Sequence, residues 1–504
     1  MAYYIKLFET HTEYNTYANS SDMLKPNVSY CLDVKDVHFN PFSWADEYFT
    51  TVALEDGTIS FNIWSSMNTD MITSISYSTD DGETWTITNN IDNKSANLQI
   101  TVNVNEGDKL LWKGDAKQLG FNDIDDYGDY VGSFFSSTCE FDAKGNIMSL
   151  IYGDNYKNNT TIEYNGQFVR LFNDYNEELT CNIVNAKDLS LPATTLAKSC
   201  YQNMFNNCTS LTSAPELPAT TLAEGCYSSM FYGCSSLTSV PELPATTLAK
   251  DCYNYMFYGC SGLTSAPELP ATTLASSCYY KMFYGCSSLT SVPELPATTL
   301  ASRCYENMFQ SCTSLMSAPL LPATTLASNC YAGMFYECTS LTSAPELPAT
   351  TLASGCYASM FYGCSGLTSA PQLPATTLTI GCYGHMFYGC TNLTTAPELP
   401  ATTLAQTCYQ NMFNNCTSLT SAPELPATTL ADYCYGYMFQ SCTNLNYIKA
   451  MFTTTPSTTY TNKWVDGVAA SGTFVKNSAA TWNPEDVRGV NGVPTNWTVQ
   501  TASE

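Results

Sequence analysis

The chain has 504 residues, a formal net charge of −26 and 44% hydrophobic residues, the composition of a packed multidomain protein rather than a disordered one. So acidic a surface repels phosphate backbones and anionic headgroups, which excludes nucleic acid and anionic membranes as broad partners. No run of about 18 apolar residues occurs, and the start, MAYYIKLFETHTEYN, has neither a basic n-region nor the apolar core of a signal peptide, so neither membrane insertion nor export is expected.

Residues 1–42 mix charges and aromatics without a clean period and cannot bury a core alone. Segments of that kind order on a partner, and this one reads as an anchor in which Tyr30, Val37 and Phe39 supply the packing contacts. Residues 43–165 contain short alternating runs, for example 58–63 and 98–104, that predict an all-β sandwich of immunoglobulin-like type with a connecting region. Two motifs fall within it. STDDGETW at 78–85 matches the Asp-box SxDxGxTW of sialidases, in which Asp80 and Gly82 fix a hairpin turn and Trp85 packs beneath it. With one box and no arginine cluster, the motif reads as structural and not as a glycosidase. DIDDYGDY at 123–130 opens like a calcium loop with Asp123, Asp125 and Asp129 as weak candidate ligands, but Tyr127 takes the fifth position and no Glu closes the loop at the twelfth. A solvated acidic loop is the better reading, and no metal is expected. Residues 166–190 then read as the N-terminal cap of a repeat array that begins at Leu191.

Residues 191–450 are ten back-to-back copies of a 26-residue unit, LPATTLAxxCYxxMFxxCxxLTSAPE, beginning at Leu191, Leu217, Leu243, Leu269, Leu295, Leu321, Leu347, Leu373, Leu399 and Leu425. A fixed period of this length predicts a solenoid in which each rung lies on the next. On a helical wheel of about 100° per residue, Leu196, Ala197, Cys200, Tyr201, Met204 and Phe205 fill one arc. Positions 198, 199, 202, 203 and 206, which vary between copies, fill the other. The invariant arc is candidate core. Thr194 or Thr195 can cap such a helix, and Gly or Asn at position 207 reads as its left-handed stop. Thr212 and Ser213 can join a parallel ladder that Pro215 and Pro218 end. The unit therefore predicts one short strand and one short helix per rung, a mainly α/β solenoid.

Columns follow from the register. Cys200 and Cys208 with their equivalents account for twenty of the 23 cysteines and read as reduced core thiols, since pairing would pull the stack into doublets. With only His11, His38 and His385 in the chain, zinc is not expected. Glu216, Glu242, Glu268, Glu294, Glu346, Glu398 and Glu424 form an acidic column broken by Leu320 and Gln372. Position 206 is tyrosine at Tyr232, Tyr258, Tyr284, Tyr336, Tyr362 and Tyr388, with Tyr255, Tyr280 and Tyr437 nearby on the variable arc. These six are the candidate ligand-binding residues, because rows of tyrosine fill partner pockets or stack on sugars at small entropic cost; the bland alternative is that each ring merely covers its neighbour. Residues 451–504 read as the C-terminal cap. No catalytic constellation, P-loop or dinucleotide fingerprint stands out, so neither an enzyme nor a cofactor is expected.

The units, such as CYSSMFYGCSSLTSVPELPATTLA at 226–249, resemble the BspA-like leucine-rich repeats of gut Bacteroidales and their phages, and with the flanking modules the resemblance covers residues 43–504. It implies a leucine-rich-repeat solenoid displayed on a surface for adhesion, and it names no ligand. The stretch LKPNVSYCLDVKDVHFNP at 24–41 looks like the head of virion proteins from Bacteroides-infecting phages, which implies a capsid or tail protein as the partner of the N-terminal segment. Joined to the thiol columns and the missing export signal, these resemblances lead to an expected virion surface or fibre-type protein. It would be assembled in the host cytoplasm and would attach through the solenoid to a host-cell or mucosal glycan or protein, with room for a homo-oligomer. Two alternatives stand: a structural capsid or tail decoration without ligand, and an adhesin of the bacterial cell surface.

Overall fold

The computed structural model describes residues 4–8, 28–32, 47–63, 72–89, 98–122, 130–174 and 178–502. Tyr30 lies on the second of two paired strands, β1 (Tyr4–Phe8) and β2 (Val28–Leu32), which run parallel. Its side chain, Val37 and Phe39 lie outside the described residues, as do Asp123, Asp125 and Asp129.

The next region is built of β3 (Phe49–Ala53), β4 (Gly57–Ile63), β5 (Ile72–Ser78), β6 (Thr86–Asn89), β7 (Leu98–Val104), β8 (Lys109–Ala116), β9 (Gly120–Asn122), β10 (Tyr130–Gly132), β11 (Phe134–Ser137) and β12 (Phe141–Asn146), with a one-turn helix α1 (Ser149–Tyr152). Alternation sends every second residue of β7 inward, as its exposure pattern shows. One sheet has the order β13-β12-β3-β8-β5-β6, in which β13 is Ile183–Ser190, and the other the order β11-β4-β7. Their rings interleave: Trp112 of β8 lies 6.3 Å from Phe61 of β4 and 5.2 Å from Phe135 of β11, and its indole N–H donates to Thr51 Oγ1 at 3.0 Å. The consecutive strands β3 and β4 fall in different sheets, and the described strands do not confirm the immunoglobulin type expected from the strand pattern.

β13 pairs in parallel with β12 and, through Asn185, bridges Ser213 of the first rung, so one sheet leads directly into the solenoid. Residues 166–174 form a rung-like turn above rung one, with Phe168 stacked on Tyr201 at 5.7 Å and Phe172 on Phe205 at 4.9 Å. At the other end β14 (Tyr447–Ala450), β15 (Thr473–Lys476) and β16 (Thr498–Thr501) make a parallel sheet. Trp464 and Trp497, both buried, cover the last rung and donate their indole N–H groups to the carbonyls of Gly492 and Ala469 at 2.8 Å.

The rungs contain no helix, which corrects the strand-plus-helix expectation. Three positions per rung, equivalent to Ser199, Asn203 and Asn207, adopt left-handed φ between 52° and 72° in all ten copies. A residue of that conformation every fourth position breaks any helix. The amides divide accordingly. Gln202, Met204, Asn206 and Cys208 donate three residues back, to Ser199, Tyr201, Asn203 and Phe205, as in β-turns. Ser199, Tyr201, Asn203, Phe205 and Asn207 instead donate to carbonyls of the next rung, five bonds that recur from rung to rung. A helix would have kept all of these bonds inside the rung, whereas the turn ribbon ties neighbours together. Each such bond is worth about 1 kcal/mol net. The pairs Cys200–Tyr201 and Met204–Phe205 both point inward and are buried, so the buried pattern has a period of four. Before β14, which ends the tenth rung, the strand positions make single-residue parallel bridges, such as Ser213 to Ser239 and Ser265 to Ser291.

Candidate binding face of the solenoid

The ribbon places position 206 on the outside of the turn between two left-handed residues, and successive rungs stack its rings face to face. Tyr232, Tyr258 and Tyr284 form one ladder with centroids 4.5 and 4.4 Å apart; Tyr336, Tyr362 and Tyr388 form a second, at 4.3 and 4.4 Å. All six predicted residues are thus brought together, and stacking leaves them half-buried. Amides separate and end the ladders. Gln310 Nε2 donates to Tyr284 Oη at 3.4 Å, and Asn414, Gln440 and Asp466 continue the column at 3.0 and 3.2 Å. Burial, then the neighbouring Tyr284 and Tyr232 hydroxyls, push the Tyr258 phenol up to about 12. Burial raises the Tyr362 phenol in the same way. These phenols stay protonated donors at neutral pH.

Core rings equivalent to Tyr201 lie 5.7 to 6.0 Å apart, while the outer tyrosines, nearly parallel, lie 4.3 to 4.5 Å apart. The outer rings are thus the more tightly stacked set.

Tyr255 and Tyr280 meet edge to face at 5.2 Å beside the first ladder. Two residues that sequence reasoning passes over stand there. Lys281 Nζ lies 5.5, 5.3 and 5.6 Å from the ring centroids of Tyr255, Tyr280 and Tyr284, and the Arg303 guanidinium lies 4.7 Å from Tyr280. A signal exists, because the ten repeats hold only five Lys or Arg against twelve Asp or Glu, and two of the five fall in adjacent rungs at variable positions.

Other columns are structural. The acidic column is exposed, burial and Glu242 raise the Glu216 carboxyl above its ordinary range, and Lys449 closes the far end on Glu424 at 2.9 Å. The 22 cysteines from Cys139 to Cys442 are free thiols, and all but the half-buried Cys181 are buried. Among the described residues no group of His, Cys, Asp or Glu could hold a metal ion. The Asp-box forms a hairpin turn: Asp80 Oδ1 accepts from the Thr84 amide at 2.8 Å and from Ser78 Oγ at 2.7 Å, Gly82 takes φ of 95°, and Trp85 Nε1 donates to the Gly82 carbonyl. The Lys113 ammonium, 4.1 Å from the Trp85 centroid and bonded to Asp154, covers that ring. No helix of the described residues is long and apolar enough to cross a membrane.

A stack of identical rungs with a leucine seam at Leu211 and Leu217 and single parallel bridges is a leucine-rich-repeat solenoid. The chain belongs to the BspA type leucine rich repeat region family, six copies of which match it across residues 176–315, 226–358 and 354–463, more than half its length. No curated protein matches it in sequence. Among solved structures it is similar to one titled "Crystal structure of TLR13-ssRNA13 complex", with 14% identity and a TM-score of 0.25, over 61% of this chain and 41% of that one.

Proposed function

We propose that this is a non-enzymatic surface protein whose tyrosine ladders attach to a glycan or protein of a host-cell or mucosal surface. In this reading it is carried on a phage virion as a fibre-type or decoration component, held to a capsid or tail protein by residues 1–42 through Tyr30, Val37 and Phe39. The observation that carries the reading is the pair of three-ring ladders at Tyr232–Tyr258–Tyr284 and Tyr336–Tyr362–Tyr388. Six of the ten rungs place a tyrosine at this position, at a fixed spacing within each ladder, so a partner meets several hydroxyl edges already ordered. BspA-type repeats, often found in surface and adhesion proteins, support the class.

The test is attachment of the purified full chain to host cells, compared with a variant carrying Tyr258→Ser, Tyr284→Ser and Tyr362→Ser. Because the rings are half-buried, each change costs about 1 kcal/mol of stability, and the comparison is made below the melting transition of the variant. Attachment falls at least tenfold if the ladders bind, and is unchanged if they only cover the rungs. Recovery of the protein in purified particles rather than in the bacterial envelope supports the virion over the cell-surface adhesin.

A further inference from the structure

The basic residues of the solenoid are not equivalent. Lys198 and Lys250 flank Glu224 at 3.4 and 3.2 Å, Lys449 pairs with Glu424 at 2.9 Å, and Arg303 pairs with Glu306 at 2.7 Å. Lys281 alone among the five has no carboxylate partner within the described residues; its neighbours are the rings of Tyr255, Tyr280 and Tyr284. Half-buried between three rings, this ammonium has ring faces and no carboxylate for neighbours, so an incoming anion displaces no ion pair there. The tyrosines alongside supply hydroxyl groups at ladder spacing, and Arg303 lies against Tyr280 on the neighbouring rung.

Charge elsewhere narrows the ligand. The chain as a whole carries −26, and an exposed acidic column runs along the same solenoid at Glu216, Glu242, Glu268 and Glu294. A polyanion meets repulsion along its length, whereas a ligand with one isolated negative group does not. Resting on the attachment role above, we propose that Lys281, Tyr255, Tyr280, Tyr284 and Arg303 form a subsite for a glycan bearing a single acidic sugar. Its carboxylate or sulfate pairs with Lys281, and its ring hydroxyls exchange hydrogen bonds with the tyrosine edges. A charge-assisted bond of this kind is worth about tenfold or more in affinity.

The experiment measures binding of the full chain to four immobilised probes: sialyllactose for a carboxylate, a 3-sulfated galactoside for a sulfate, lactose as the neutral control and heparin as the polyanion. The expected result is saturable binding of one or both singly charged sugars, weakening with salt, with lactose and heparin bound at least about tenfold more weakly. Which singly charged probe binds identifies the acid group. Lys281→Gln and Lys281→Met, the second retaining the apolar stem that packs on the rings, each lose about tenfold, while Lys250→Gln leaves binding unchanged. Melting curves show that each variant is folded. Equal binding by the Lys281 and Lys250 variants, or lactose or heparin bound as tightly as the acidic sugars, overturns the subsite. If wild-type protein still attaches to cells in a ladder-dependent way, only the subsite has failed. If it does not attach to cells, the attachment role has failed with it.

Discussion

Cys234 Sγ lies 3.0 Å from the main-chain oxygen of Phe205, one rung earlier, and the same relationship runs from Cys260 to Phe231 and on to Cys442 and Phe413. That oxygen already accepts the amide of Cys208 within its own rung, so the thiol takes its second lone pair. Cysteine suits the column because it is small, apolar and still a donor.

Replacing Cys286 by alanine therefore removes both volume and a weak hydrogen bond to Phe257, and costs about 1–2 kcal/mol in a denaturant melt. Native-state alkylation singles out Cys181 among the cysteines from Cys139 to Cys442, because burial pushes thiols such as Cys226, Cys260 and Cys338 up to about 12. Rapid labelling of the buried columns in native protein would contradict the packing.

Alkali should unfold the solenoid cooperatively. Burial raises the buried thiols, and also the phenols of Tyr201, Tyr227 and their equivalents. In the folded state these groups hold protons that the unfolded chain releases near about 8.5 for Cys and 10 for Tyr. Their stabilisation is complete below those values and is lost as pH rises towards the folded values near 12 for the thiols. Tyrosinate absorbance and far-ultraviolet circular dichroism should change together on titration; tyrosinate appearing first, with rungs intact, would show accessible rings.

The Asp-box titrates in the opposite direction. Hydrogen bonds from Thr84 and then Ser78 hold the Asp80 carboxyl down at about 2. Its contribution to the hairpin is present above the unfolded value of about 3.9 and is lost as pH falls through the folded value. A carbon-detected NMR titration of Asp80 should give a midpoint well below the ordinary range, and Asp80→Asn should loosen the turn without touching solenoid attachment.

The anchor is tested by deletion. A chain lacking residues 2–42 should be folded, as its melting curve and dichroism would show, and absent from particles. Full incorporation of the shortened chain would place the contact elsewhere.

The repeat is legible because identity of spacing needs no knowledge of conformation: Cys200, Tyr201, Met204 and Phe205 read as core from invariance alone, and they are buried. A helix is the wrong reading of the same residues because periods of 3.6 and 4 diverge by less than half a turn over the nine residues from 200 to 208. The discriminating mark lies in a second column. Position 203 is Asn or Gly in four copies, Asn203, Asn307, Gly333 and Asn411, residues that favour left-handed φ, while Tyr255, Lys281, His385, Tyr437 and two serines dilute the mark, and the sequence reading takes only position 207 that way. The tyrosine column is legible as a column, while the face-to-face stacking of its rings is not, since that depends on side-chain orientation. Lys281 escapes notice because a lone lysine at a variable position carries no signal until its ring neighbours are placed.

Position 206 turns outward only if each rung is a ribbon of turns with a left-handed residue every fourth position. Ser359 sits in the middle of such a ribbon with φ of 55°, at the position where another rung carries Gly333 with φ of 59°. The most direct test is the difference in unfolding free energy between Ser359→Gly and Ser359→Ala in the full chain. In a left-handed site glycine is the more stable of the two by about 1 kcal/mol, and that is the predicted result. In a helix alanine is the more stable by about the same amount, and that outcome would contradict the account.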